Sequence, residues 1–117
     1  MYSYEAVVKK VYDGDTITVD IDLGFGIWMM KQKIRLYGIN TPEIRGDDRE
    51  QGLISRDVLR GWIPLESTVI IHTVKDKKGK YGRWLGTIHI PDVRDPNQLV
   101  NLNEKLVNEG YAVEYLL

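Results

Sequence analysis

The sequence predicts a mainly β domain with two helices (α+β): a five-stranded barrel, one helix between strands three and four, and a short C-terminal helix. Three observations carry this. The N-terminal third alternates apolar and polar residues with period two. After position 48 the apolar spacing becomes helical, and from Ser67 β-branched residues return.

Taken in order, Ala6–Tyr12 is β-branched and bounded by the turn residues Asp13-Gly14. In Asp15–Asp22, Ile17, Val19 and Ile21 share one face, and Thr16, Thr18, Asp20 and Asp22 share the other. Gly24 and Gly26 mark a turn or bulge, and Ile27–Ile39 reads as one long third strand. A loop spans 40–48. Ile54, Val58, Leu59, Trp62 and Ile63 then form one stripe of a helix that Pro64 ends. Ser67–Val74 and Gly82–Ile90 read as strands joined by a Gly- and Lys-rich loop at Asp76–Tyr81. Beyond a loop at Asp92–Asn97, Asn101 and Glu104 have the spacing of an N-cap and its box partner, with Gly110 as the stop. This order suits a small barrel of the oligonucleotide- and oligosaccharide-binding (OB) type.

With 117 residues the chain suits a single domain across 1–117, large enough for one hydrophobic core. Sixteen basic and seventeen acidic side chains give a formal charge of −1. A protein that wraps duplex DNA by counterion release is usually more basic, so a polyanion must be held by a few placed groups or a metal. The absence of cysteine removes disulfides, zinc–thiolate sites and thiol nucleophiles. No apolar run approaches a membrane span, and Met-Tyr-Ser-Tyr-Glu lacks the basic and apolar segments of a leader. The chain as given is expected to be cytoplasmic and free of membrane contact, or secreted if a leader has been removed.

Three corners can carry chemistry. In "DGDT" (13–16), Asp15 has the parity of Ile17, Val19 and Ile21, so its carboxylate heads a row aimed at the core. A tight turn explains the letters, but a carboxylate so placed needs a hard cation or an arginine. In "RLYGINTPE" (35–43), Arg35, Thr41 and Glu43 gather where a strand ends. A guanidinium grips two phosphate oxygens, amide and carbonyl oxygens suit calcium, and a glutamate takes a proton from water. An exposed arginine beside a proline turn fits the same letters. In "KYGR" (80–83), Lys80, Tyr81 and Arg83 offer a point charge, a stacking face and a fork, the groups a nucleotide needs, or merely a charged hairpin tip. His72 and His89 read as packed or partly exposed strand residues with no third nitrogen ligand.

D-G-D-T, R-L-Y-G-I-N-T-P-E, K-Y-G-R and L-V-N-E-G-Y-A, in this order, strongly resemble the staphylococcal nuclease (thermonuclease) family from about residue 5 onward. The resemblance implies an OB-fold barrel and a calcium-dependent phosphodiesterase acting on DNA and RNA, leaving a 5′-hydroxyl and a 3′-phosphate. It implies that Asp15, Asn40 and the Thr41 carbonyl hold Ca2+, and that Arg35 and Arg83 grip the phosphate. Glu43 is then the general base, while Lys80 and Tyr81 hold a terminal phosphate and stack near the nucleotide. Two departures stand out. Asn40 replaces the family's usual aspartate, removing a negative charge from the metal site and opening the alternative of a weak or silent nucleic-acid- or protein-binding module. "DIDLGFGIWMMKQK" (20–33) is long, which predicts an extended hairpin with an exposed Trp28-Met29-Met30 tip. A monomer is expected, with a weak dimer through the 24–32 hairpin as the other possibility.

Overall fold

The computed structural model describes residues 2–74 and 82–115. Strands β1 (Ser3–Asp13), β2 (Thr16–Asp22) and β3 (Trp28–Leu36) form an antiparallel meander. Then come β4 (Ile39–Asn40), a 3-10 turn at Gly46–Asp48, α1 (Arg49–Trp62), β5 (Thr68–Thr73) and β6 (Trp84–Pro91). The chain continues through β7 (Leu99–Asn101), α2 (Leu102–Asn108) and β8 (Val113–Glu114). The order β3-β2-β1-β5-β6 is closed by a parallel pairing of β3 with β6, from Ile34↔Trp84 to Leu36↔Gly86. The expected five-stranded barrel with an inserted helix is therefore present. β7 extends the sheet beside β6, and β4 pairs with β8.

The period-two pattern fills the barrel. Ile17, Val19, Ile34, Leu36, Ile71 and Ile88 are all buried, with Leu59 and Ile63 of α1 and Leu102 and Leu106 of α2 closing over them. Each such side chain stabilises the fold by roughly 1.5–3 kcal/mol. Asn101 caps α2 as its spacing predicts, accepting from the Glu104 amide at 3.2 Å, and Gly110 follows the helix at φ +85°. Among the described residues no helix is long and apolar enough to cross a membrane.

Three expectations need correction. The third strand stops at Leu36, because Tyr37-Gly38 turns the chain before β4 begins at Ile39. Ile54 lies outside the α1 stripe and is exposed, whereas Gly52, Ser55 and Leu59 face inward. Small residues on that face let the helix approach the 41–45 loop, and Ser55 Oγ donates to the Tyr111 carbonyl at 2.7 Å. The β2–β3 hairpin is extended, but its tip is 23–27. Phe25 is fully exposed there at φ +57°, Trp28 and Met30 are exposed, and Met29 packs against the core. The Asp76–Tyr81 loop, with Lys80 and Tyr81, lies outside the described residues.

Candidate active site

Asp15 sits in the turn between β1 and β2, where the parity of β2 carries its side chain inward, and it is only 7% exposed. Its burial is compensated by specific partners. Oδ2 accepts from the Thr41 amide at 3.0 Å and lies 3.5 Å from Arg35 Nη2, while the Thr16 hydroxyl donates to Oδ1 at 3.3 Å. The demand for a cation or an arginine, read from parity alone, is met by the arginine.

Arg35 enters from β3, paired in register with Thr16. Nη1 donates to the Leu36 carbonyl and Nη2 to Asn40 Oδ1, each at 2.7 Å. The guanidinium thus binds together the Asp15 turn, its own strand and β4. Gly14 permits this closeness: a Cβ there would stand 2.7 Å from Thr41 Cγ2. Arg83 immediately precedes β6, and its Nη1 reaches the Thr16 hydroxyl at 3.5 Å.

These groups border one cleft of about 770 Å³, lined by Asp13, Asp15, Thr16, Arg35, Asn40, Thr41, Glu43, Arg45 and Arg83, with Lys10, Tyr12, Thr18 and Lys33 extending it along the sheet. Segments distant in sequence therefore converge. Five cationic side chains face three carboxylates in this lining, so a chain of net charge −1 concentrates positive charge at one place. Glu43 is an exposed member of the lining, open to water and to a ligand.

Asp13 was legible only as a turn residue, yet its carboxylate lines the cleft beside Asp15. Burial, and then the negative charge of Asp15, push its pKa up to about 7. The i, i+2 spacing of the two aspartates in "DGD" was the available signal. The folded protein holds this proton more tightly than the unfolded chain, whose aspartates titrate near 3.9. The site therefore favours the fold at low pH, and that contribution is lost as pH rises from about 4 through 7. Partial contact with water limits the effect to about 1 kcal/mol, or roughly 5 °C in Tm. In metal-free buffer, Asp13→Asn should gain stability relative to wild type across that window. A constant Tm difference from pH 4 to 8 contradicts this.

Asp13, Asp15, Asn40 and Thr41 all line the cleft, and their carboxylate, amide and carbonyl oxygens are the donor type that suits a hard cation such as calcium. The buried Thr41 Oγ1, without a hydrogen-bond partner among the described residues, is a further oxygen at the same place. Among the described residues no cluster of three or more His, Cys, Asp or Glu could hold a metal. A cation here would rest on few carboxylates and retain several waters, which the set fits.

His72 and His89 lie elsewhere, on β5 and β6, stacked with ring centres 4.0 Å apart. His89 is buried and bonded to Thr87 Oγ1 at 2.8 Å. They are packed strand residues, as expected.

A family model for staphylococcal nuclease homologues matches residues 33–117. An uncharacterized protein of Methanocaldococcus jannaschii is 33% identical over 97% of this chain and 60% of its own length. An uncharacterized endonuclease of Escherichia coli is 31% identical over 94% of the chain and 65% of its own. The endonuclease YhcR of Bacillus subtilis is 28% identical over 97% of the chain but only 9% of its own length. The chain thus spans 60 to 65% of the first two of these relatives. Over most of its residues, 33–117, the chain belongs to the staphylococcal nuclease homologue family.

Proposed function

We propose that this protein is a calcium-dependent phosphodiesterase that cleaves DNA and RNA, preferring single strands. The observation that carries the reading is the convergence of Asp15, Arg35, Glu43 and Arg83 on one cleft from four separate segments. The endonuclease names of two relatives support it.

In this reading Glu43 orients a water and takes its proton as the water oxygen attacks phosphorus in line. The bond from phosphorus to the 5′ oxygen breaks, and that oxygen collects a proton from solvent. Arg35 and Arg83 meet the charge that grows on the equatorial oxygens, so their contribution is greatest in the transition state. Asp15, Asn40 and the Thr41 carbonyl would hold calcium, which would supply positive charge to the site. Lys80 and Tyr81, outside the described residues, are proposed to hold a terminal phosphate and the adjoining nucleotide.

One observation favours the alternative of a weak or silent binding module. Asn40 Oδ1 already accepts from Arg35 Nη2 at 2.7 Å, so the amide that replaces the usual aspartate is engaged by a cation of the protein itself.

Calcium titration of wild type beside Asn40→Asp, read by isothermal calorimetry and by cleavage of single-stranded DNA, tests both readings. The added carboxylate should tighten calcium binding by about tenfold, roughly 1.4 kcal/mol, and speed hydrolysis. Equal affinity in the two proteins places position 40 outside the ion's ligands. A wild type that binds DNA but never cuts it, with or without calcium, establishes the module.

A further inference from the structure

The outer face of the β1–β2–β3 sheet continues the cleft, and its register has an irregularity that changes what it presents. Val8 pairs with Val19, but Lys10 pairs with Thr18, so β1 carries an extra residue between them. A second extra residue falls between Val11, opposite Ile17, and Asp13, opposite Thr16. Such bulges reset side-chain parity. In a regular strand with Val8 facing the core, Lys10 would face it too. Instead Lys9 and Lys10 are both exposed, while Val11 returns to the core and Tyr12 again faces out.

The result is an ordered pair of rows across three strands. The row at the cleft holds Tyr12 and Asp13, Thr16 and Arg35. The next row holds Lys10, Thr18 and Lys33, because Thr18 pairs with both. The two rows are two residues apart on β2 and β3, about 7 Å on a strand. That is the scale of one nucleotide of extended backbone. Lys10 Nζ lies 5.8 Å from the centre of the Tyr12 ring, so cation and aromatic face are adjacent. Tyr12 is 40% exposed, and among the described residues neither Lys10 nor Lys33 has a carboxylate within ion-pair distance. The third row differs: there Lys9 is paired with Asp20 at 3.7 Å and with Glu66 at 2.9 Å, which ends the run of unpaired cations.

We propose that Lys10, Lys33 and Tyr12 form a second subsite on the β1–β2–β3 face, taking the next phosphate and one unpaired base of a single-stranded nucleic acid whose scissile phosphate lies at Arg35. The proposal rests on the phosphodiesterase reading for what occupies the first site. Two cations flanking Thr18 from either side of β2 neutralise one phosphate between them, and the tyrosine face stacks any base without selecting its sequence. A stacked base must be free of its partner, which gives the single-strand preference a physical source. Charge limited to these few groups also explains how a protein of net charge −1 can hold a polyanion chain.

The test uses fluorescein-labelled decathymidylate in EDTA, where binding is read by anisotropy without cleavage. Lys10→Gln/Lys33→Gln should raise its Kd about tenfold and make log K less dependent on log salt by about 0.7, the release expected from one single-strand phosphate contact. Tyr12→Ala should weaken decathymidylate about tenfold but leave an abasic decamer unchanged, and Tyr12→Phe should restore the affinity. In calcium, the ratio of kcat/KM for the decamer to that for a dinucleoside monophosphate should fall in the double variant. Wild-type affinity and salt slope in that variant overturn the proposal. So does an equal loss on decamer and dinucleotide, or an equal loss of thymidine and abasic decamers in Tyr12→Ala. If wild type cuts neither substrate, the catalytic reading fails by itself, and the anisotropy arms still decide the subsite.

Discussion

Arg35→Ala will lower turnover on single-stranded DNA by a hundredfold or more, and it will also destabilise the fold. On the proposed phosphodiesterase reading, the catalytic loss follows from removing a charged donor to the phosphate, typically worth about 3–4 kcal/mol. The structural loss has a different origin. The Arg35 and Asp15 side chains are both largely buried, with Nη2 and Oδ2 3.5 Å apart. Alanine removes that cation, leaving the carboxylate the neutral Thr41 amide and Thr16 hydroxyl as donors. Breaking one side of a buried pair costs about 3 kcal/mol or more. It also releases the Leu36 carbonyl and Asn40, each held at 2.7 Å. Arg35→Lys separates the two effects, since it keeps the charge and loses the fork. Urea denaturation should recover much of the stability in the lysine variant while kcat stays low. Arg83→Ala should lose turnover on the same order. Either variant cutting at the wild-type rate removes these guanidiniums from the reaction.

The barrel was legible because its apolar side chains keep to one face of each strand, so Ile17, Val19 and Ile21 announce both the period and the direction of the core. The same parity marks Asp15 as a carboxylate in need of a partner, independently of any family resemblance. What escaped depends on contacts between segments. The bulges of β1 exist only relative to β2, so nothing in "VVKKVYD" alone says that Lys10 turns outward. Asp13 read as a turn former because its neighbour mattered only once both carboxylates shared a partly buried cleft. The inward face of α1 was misread for a related reason. Hydrophobicity chose Ile54, whereas the space beneath the helix admits only small side chains. A glycine and a serine carry no hydrophobic signal, yet they decide how near the helix comes to the loop bearing Glu43.

That closeness makes Gly52→Ala a severe change for one methyl group on a helix. A Cβ at position 52 would stand 2.2 Å from the Glu43 carbonyl oxygen and 2.7 Å from that of Pro42. Both neighbours are backbone, so neither can swing aside as a side-chain end would. In an exposed helix the same substitution would stabilise by up to about 1 kcal/mol through propensity alone. Here overpacking opposes that gain and should leave a net loss of about 1–3 kcal/mol. The helix is anchored further along the same face by Leu59, and just past its end by Ile63, both in the core, so the 41–45 loop is the part free to yield. Thr41 and Glu43 should move with it: the Thr41 amide would leave Asp15 Oδ2, and the Glu43 carboxylate would leave the place the proposed reaction gives it. Since misplacement of about 1 Å at a reacting centre costs on the order of a hundredfold, activity should fall much further than the Tm. A variant that melts lower yet keeps wild-type kcat would mean that the loop does not position Glu43. Gly61→Ala is the control on the same helix: nothing lies within 4 Å of a Cβ there, so propensity acts alone and the protein should become slightly more stable with its activity intact.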